Sequence, residues 1–133
     1  MLRLIPIFIF GLMSISVLSE DCMAQEENNS LKIAFQQGSI REITRFLDDM
    51  VEISLDNDKR DYSRSQAEIV LRDFFRNNPA ENFDLQHEGQ TGDNLSYLIG
   101  TYHSLERKYR VLIRGKMIDN ARFIIYSLGI IRQ

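Results

Sequence analysis

The sequence is short of the residues that usually announce chemistry. It has one cysteine, Cys22, and two histidines, His87 and His103, in 133 residues. A lone cysteine excludes an internal disulfide, so the fold must rest on its hydrophobic core, which a chain of roughly a hundred residues can supply. Two histidines without a cysteine or carboxylate at ligand spacing do not make a zinc site, and no metal or cofactor is expected. No repeat and no low-complexity segment is present. Positive charge is not in excess: 16 lysines and arginines stand against 19 acids, a net charge of −3. That balance gives no drive toward nucleic acid or anionic lipid. The length allows one domain.

What is present first is a leader. Arg3 precedes an apolar run from Leu4 to Val17, broken only by Pro6, Gly11 and two serines. The run is short for a membrane span and reads as a secretory signal over residues 1–24. Cys22 and Ala24 supply the small residues for cleavage after Ala24, with Ser19 as a weaker site. A retained anchor helix is the alternative, but Glu20, Asp21 and the polar run Gln25–Ser30 read as spacer. Asp21 before Cys22 argues against lipid attachment. The expectation is an exported protein, periplasmic or extracellular, with no membrane contact after cleavage. Cleavage would remove Arg3, Glu20 and Asp21, taking the charge from −3 to −2.

Residues 25–30 read as a flexible tail and residues 31–133 as a single domain. Its first half is mainly helical. Leu31–Gln37 is predicted to end at Gly38, which tolerates the left-handed conformation there. A second helix starts after Ser39, with Glu42 at capping-box spacing and Ile40, Ile43, Leu47 and Met50 as its apolar stripe, Phe46 at the margin. Val51–Leu55 alternates like a half-buried strand. Asp56-Asn57-Asp58 turns it into a short return through Arg60–Tyr62. The clearest helix is Arg64–Arg76, capped by Ser63 with Gln66, its face made by Ala67, Val70, Leu71, Phe74 and Phe75. Four strands follow: Phe83–Glu88, Leu95–His103, Arg107–Met117 and Ala121–Ile131, with Asp119-Asn120 as the last hairpin turn. Helices followed by a strand meander predict an α+β domain, an antiparallel sheet with helices on one face.

The strand faces suggest what else the sheet does. Tyr109, Val111, Ile113, Gly115 and Met117 share one side of their strand, against Lys108, Arg110, Leu112, Arg114 and Lys116. In the preceding strand Leu95, Tyr97, Ile99, Thr101 and His103 share a side, taken as the pocket side. The uncovered face is then expected to carry Phe123, Ile125, Leu112, Leu98 and Tyr102 among arginines. Two accounts fit: the stems of Arg110, Arg114 and Arg122 shield these residues, or a homodimer forms back to back through the sheet.

The element order, with Tyr62-Ser63 before Gln66-Ala67, Phe74-Phe75, His87-x-Gly89, Tyr97-x-Ile99-Gly100 and Tyr109-Arg110-Val111, resembles the nuclear-transport-factor-2-like superfamily, the cystatin-like cone. More closely, it resembles a Bacteroidetes group of exported domains of unknown function. The likeness covers about Leu31–Ile131. It implies a curved sheet wrapped around the N-terminal helices, often with an apolar pocket. The superfamily includes ketosteroid isomerase but also non-catalytic binding and dimerising domains, and fold alone does not choose among them.

An isomerase of that kind needs a carboxylate in an apolar pocket and a buried acid donor. Asp84 and Glu88 read as the polar side of their strand, Asp61 sits in a charged run and Asp93 in a loop, so none qualifies. His87 and His103 read toward the pocket but lack partners, and a strand-end position is the reading taken. Tyr62, Tyr97, Tyr109 and Tyr126, with His103, are the candidate pocket residues; an ordinary core with its hydroxyls satisfied explains the tyrosines as well. Lys108, Arg110, Arg114 and Lys116 form a basic strip, taken to pair with surface carboxylates. The leading expectation is a non-catalytic domain binding a small apolar ligand or a protein partner, and no nucleic acid. The alternatives are an isomerase- or dehydratase-like enzyme and a structural dimerisation module.

Overall fold

The strongest helical pattern of the sequence is realised in full. Ser63 accepts from the Gln66 backbone N–H while the Gln66 side chain accepts from the Ser63 N–H, a reciprocal cap that starts the helix Arg64–Asn77. Ala67, Leu71 and Phe75 are buried along it. The computed structural model describes residues 20–119 and 122–133. The leader up to Ser19 lies outside them, as do Asn120 of the expected last turn and Ala121 of the expected last strand. The elements are α1 (Glu20–Gln37), α2 (Ile40–Phe46), β1 (Leu47–Leu55), β2 (Asp58–Ser63), α3 (Arg64–Asn77), β3 (Asn82–Gln90), β4 (Leu95–Ser104), β5 (Arg107–Ile118) and β6 (Arg122–Arg132). No helix among the described residues is long and apolar enough to cross a membrane.

The strands form one curved, unclosed sheet in the order β2-β1-β6-β5-β4-β3. The expected antiparallel sheet needs one correction: β1 lies parallel to β6, and only the other pairs are antiparallel. The fold is α+β, with the helices packed into the concave side. Phe35, Leu31, Ile43, Leu71 and Phe75 from the helices meet Phe83, Tyr102, Val111, Ile113, Ile125 and Leu128 from the sheet in one core. Phe35 stacks on Phe83 with centroids 5.0 Å apart, and Phe74 meets Tyr109 edge-on at 5.1 Å.

Three sequence expectations fail locally. Gln25–Ser30 is not a tail but part of α1. Its polar side chains hid it; Asn28 Nδ2 donates to Glu88 Oε2 at 3.0 Å and Glu27 accepts from the Phe123 N–H. The second helix ends at Phe46, and Leu47 begins β1. Leu47 is buried as the stripe required, but Met50 is 59% exposed. Leu47 fits both the helical spacing with Ile43 and the core of a strand, and the strand prevails.

The third failure concerns the sheet faces. Cross-strand partners share a face, and β4 pairs with β5 as Leu98↔Ile113, Gly100↔Val111 and Tyr102↔Tyr109. Leu98 and Tyr102, together with Phe123 and Ile125, therefore belong to the core, not to the uncovered face. Tyr97, Ile99, Thr101 and His103 sit on the outer register with Arg114, Leu112, Arg110 and Lys108. The tight turn at Leu105, whose φ is 51°, fixes that register. Nothing in the alternation of β4 itself decides it, because both of its sides carry apolar residues.

Candidate functional site

The concavity of the sheet is mostly filled. Its deep end is closed by a buried polar knot where α3 stops. Asn78 caps the helix through its backbone N–H to Phe74 O at 2.9 Å, and its Nδ2 donates to the same carbonyl at 3.0 Å. Tyr109 Oη donates to Asn78 Oδ1 at 2.7 Å, Arg107 Nη1 donates to that oxygen at 3.3 Å, and Tyr102 Oη donates to the Asn78 carbonyl at 2.5 Å. Burial, and secondarily the neighbouring Tyr109, push the Tyr102 hydroxyl well above its ordinary range. Both hydroxyls are thus occupied in fastening helix to sheet.

The other end of the concavity is open. Here Leu98, Met117 and Phe123 make an apolar floor, and Asn28, Glu88 and Ser96 are among the polar residues of the rim, around a hollow of about 290 Å³. Gly115 makes the floor possible: a Cβ there would collide with the Phe123 ring and stand 2.8 Å from the Ile124 carbonyl oxygen. Glu88 reaches this side because the β3–β4 register shifts between Leu85 and His87, which sets Glu88 opposite Leu98. The alternation read without that bulge had assigned Glu88 to the polar face.

The expected pocket residues are not brought together. Tyr109 is inside the knot. Tyr97 borders the mouth hollow, its ring over Gly89. Tyr62 lies against α3 beside Gln66 and Ile69. Tyr126 lines a separate hollow with Met50 and Arg114. His103 is on the outer face, where its Nε2 lies 3.2 Å from Asp84 Oδ2, and His87 is exposed there. The Asp84 partner was invisible to spacing because it comes from the adjacent strand. Among the described residues no three of His, Cys, Asp and Glu converge as metal ligands. Sequence reasoning missed Asn78 as a hub; two asparagines after a Phe-Phe pair were the only signal.

A family model described as "Domain of unknown function (DUF4783)" matches residues 28–130. None of the curated proteins is significantly similar to the chain in sequence. Among solved structures, a DUF4783 family protein from Bacteroides ovatus superposes with a TM-score of 0.74 at 24% identity, covering 78% of this chain and 93% of its own. Another from Bacteroides fragilis gives 0.73 at 26% identity, with 78% and 96% covered. An NTF2-like protein from Cytophaga hutchinsonii gives 0.63 at 9% identity, covering 87% of this chain and 100% of its own, a likeness of fold alone. The family resemblance drawn from Tyr62-Ser63, Phe74-Phe75 and the paired tyrosine strands holds.

Proposed function

The chain belongs to the family of domains of unknown function DUF4783, and from that premise we propose that it is an exported, non-catalytic binding domain whose mouth hollow holds a small amphipathic ligand. One observation carries the reading: Leu98, Met117 and Phe123 offer an apolar floor directly beneath the polar rim of Asn28, Glu88 and Ser96. Ligand sites combine an apolar lining with a few placed polar groups, typically in about 300–1,000 Å³. A volume of about 290 Å³ suits a ligand of few heavy atoms. The aromatic filling behind the floor leaves no room for a fused-ring molecule. Against catalysis stand an exposed Glu88 already bonded to Asn28, tyrosine hydroxyls committed to Asn78, and a histidine on the opposite face. Export rests on the leader sequence, and an N-terminus at Gln25 in the secreted protein would agree with it.

The test is a fragment titration followed by amide chemical shifts. Amphipathic fragments are expected to move resonances of Leu98, Met117 and Phe123, and Leu98→Trp is expected to abolish the effect by filling the hollow. If no fragment perturbs the mouth, the ligand reading fails. The place of Glu88 on the rim of a hollow floored by Leu98 and Phe123 supports a second reading, an isomerase-like enzyme using it as base once Asn28 releases it. Fragment turnover that Glu88→Gln abolishes would establish that reading instead.

A further inference from the structure

The outer face of the sheet carries a charge pattern that the mouth hollow does not use. Lys108, Arg110 and Arg114 are exposed on β5, and among the described residues none of them is ion-paired with a carboxylate. Lys116, by contrast, is engaged by Asp48 at 3.2 Å. The expected pairing of the whole strip with surface acids is therefore met only at its end. These cations gather on a chain whose net charge is −3.

Between Arg110 and Arg114 sits half-buried Leu112, flanked by Ile99 on β4 and Gly129 on β6. Gly129 has no side chain, so the row dips beside Leu112. Next to Arg114 the sheet opens further. Asp48, Asp49, Met50 and Val51 of β1 stand opposite the single residue Tyr126 of β6, and this bulge frames a hollow of about 460 Å³.

We propose that this face docks an extended, acidic segment of a partner protein, with one apolar side chain seated on Leu112 and Gly129 and a carboxylate two residues to either side. Alternate residues of an extended chain are about 6.8 Å apart. The same spacing separates Arg110 and Arg114 from Leu112, so a segment lying along β5 meets all three in register. Guanidinium groups take carboxylates through paired hydrogen bonds. A neutral partner would bury these cations without compensation. A second copy meeting β5 against β5 would set cation against cation. The chain's net charge of −3 disfavours a long phosphate backbone as the occupant.

The test uses labelled peptides with the pattern acid-Ser-Leu-Ser-acid, where the acid is Glu, and its Gln and Lys analogues, read by fluorescence anisotropy. The Glu peptide is expected to bind about tenfold more tightly than the Gln peptide. Arg110→Glu with Arg114→Glu is expected to reverse the order in favour of the Lys peptide, and Gly129→Val to weaken binding with the charges intact. Equal binding of the Glu and Gln peptides, or indifference to charge reversal, overturns the proposal and leaves the arginine stems as a plain shield over Leu112. Sedimentation showing a dimer that the reversal dissociates overturns it in favour of a second copy.

Discussion

The Tyr109 hydroxyl donates to the Asn78 side-chain oxygen at 2.7 Å, joining β5 to the end of α3. Asn78 is 7% exposed and receives Arg107 at the same atom. Asn78→Ala strips the acceptor and strands a buried hydroxyl, at an expected cost of about 1–3 kcal/mol. Tyr109→Phe removes only the donor and leaves Arg107 in place, so about 0.5–1.5 kcal/mol is expected. In urea denaturation, Asn78→Ala should cost less in the Tyr109→Phe background than alone. Strict additivity would show that the two groups do not interact.

Tyr102 yields a pH dependence. Its hydroxyl is raised in the folded protein above its ordinary value of 10.0, chiefly by burial. Above about pH 10 the unfolded chain releases this proton while the folded one keeps it. Stability is therefore fully present below that pH and declines as pH rises through the window up to the folded value, by at most about 1.4 kcal/mol per pH unit. Tyr102→Phe should flatten the alkaline limb in chemical denaturation from pH 9 to 11. An unchanged slope would mean that another group controls it.

The boundary between α2 and β1 can be read by paired truncations. Leu47 is fully buried and Met50 is 59% exposed. Leu47→Ala should cost about 2–5 kcal/mol, whereas Met50→Ala should change stability by less than about 0.5 kcal/mol. Comparable losses at the two positions would restore the longer helix.

Gly115 and Gly129 differ in what surrounds them. An added Cβ at Gly115 meets the Phe123 ring and a fixed carbonyl, while at Gly129 the nearest atom, in Leu112, is 3.9 Å away. Gly115→Ala should therefore destabilise by about 1–3 kcal/mol, lower the melting temperature and disturb fragment binding at the mouth. Gly129→Ala should leave both within error. Equal melting temperatures for the two variants would contradict the close approach at Gly115.

How far the sequence could be read depends on whether local pattern or pairing decides. Helix α3 was legible because Ser63, Gln66 and the five-residue apolar stripe all report the same element. The faces of β5 were legible because lysines and arginines alternate with apolar residues there. The face of β4 was not, since Tyr97 and Ile99 compete with Leu98 and Tyr102, and only pairing to β5 separates them. Glu88 and the His103–Asp84 contact were hidden for the same reason: a bulge and a neighbouring strand placed them. The Asn78 knot joins residues from α3, β4 and β5, and no spacing along the chain encodes it.

The parallel seam between β1 and β6 bears on how the molecule is made. The strand that comes first in the chain finds its second neighbour only in β6, the last strand of the sheet in chain order. Until β6 pairs, the β1–β2 hairpin and the β3–β5 meander share no strand edge. Long-range closure of this kind slows folding. Loss of Arg122–Arg132 would split the sheet in its middle and leave the helices alone to join the two halves.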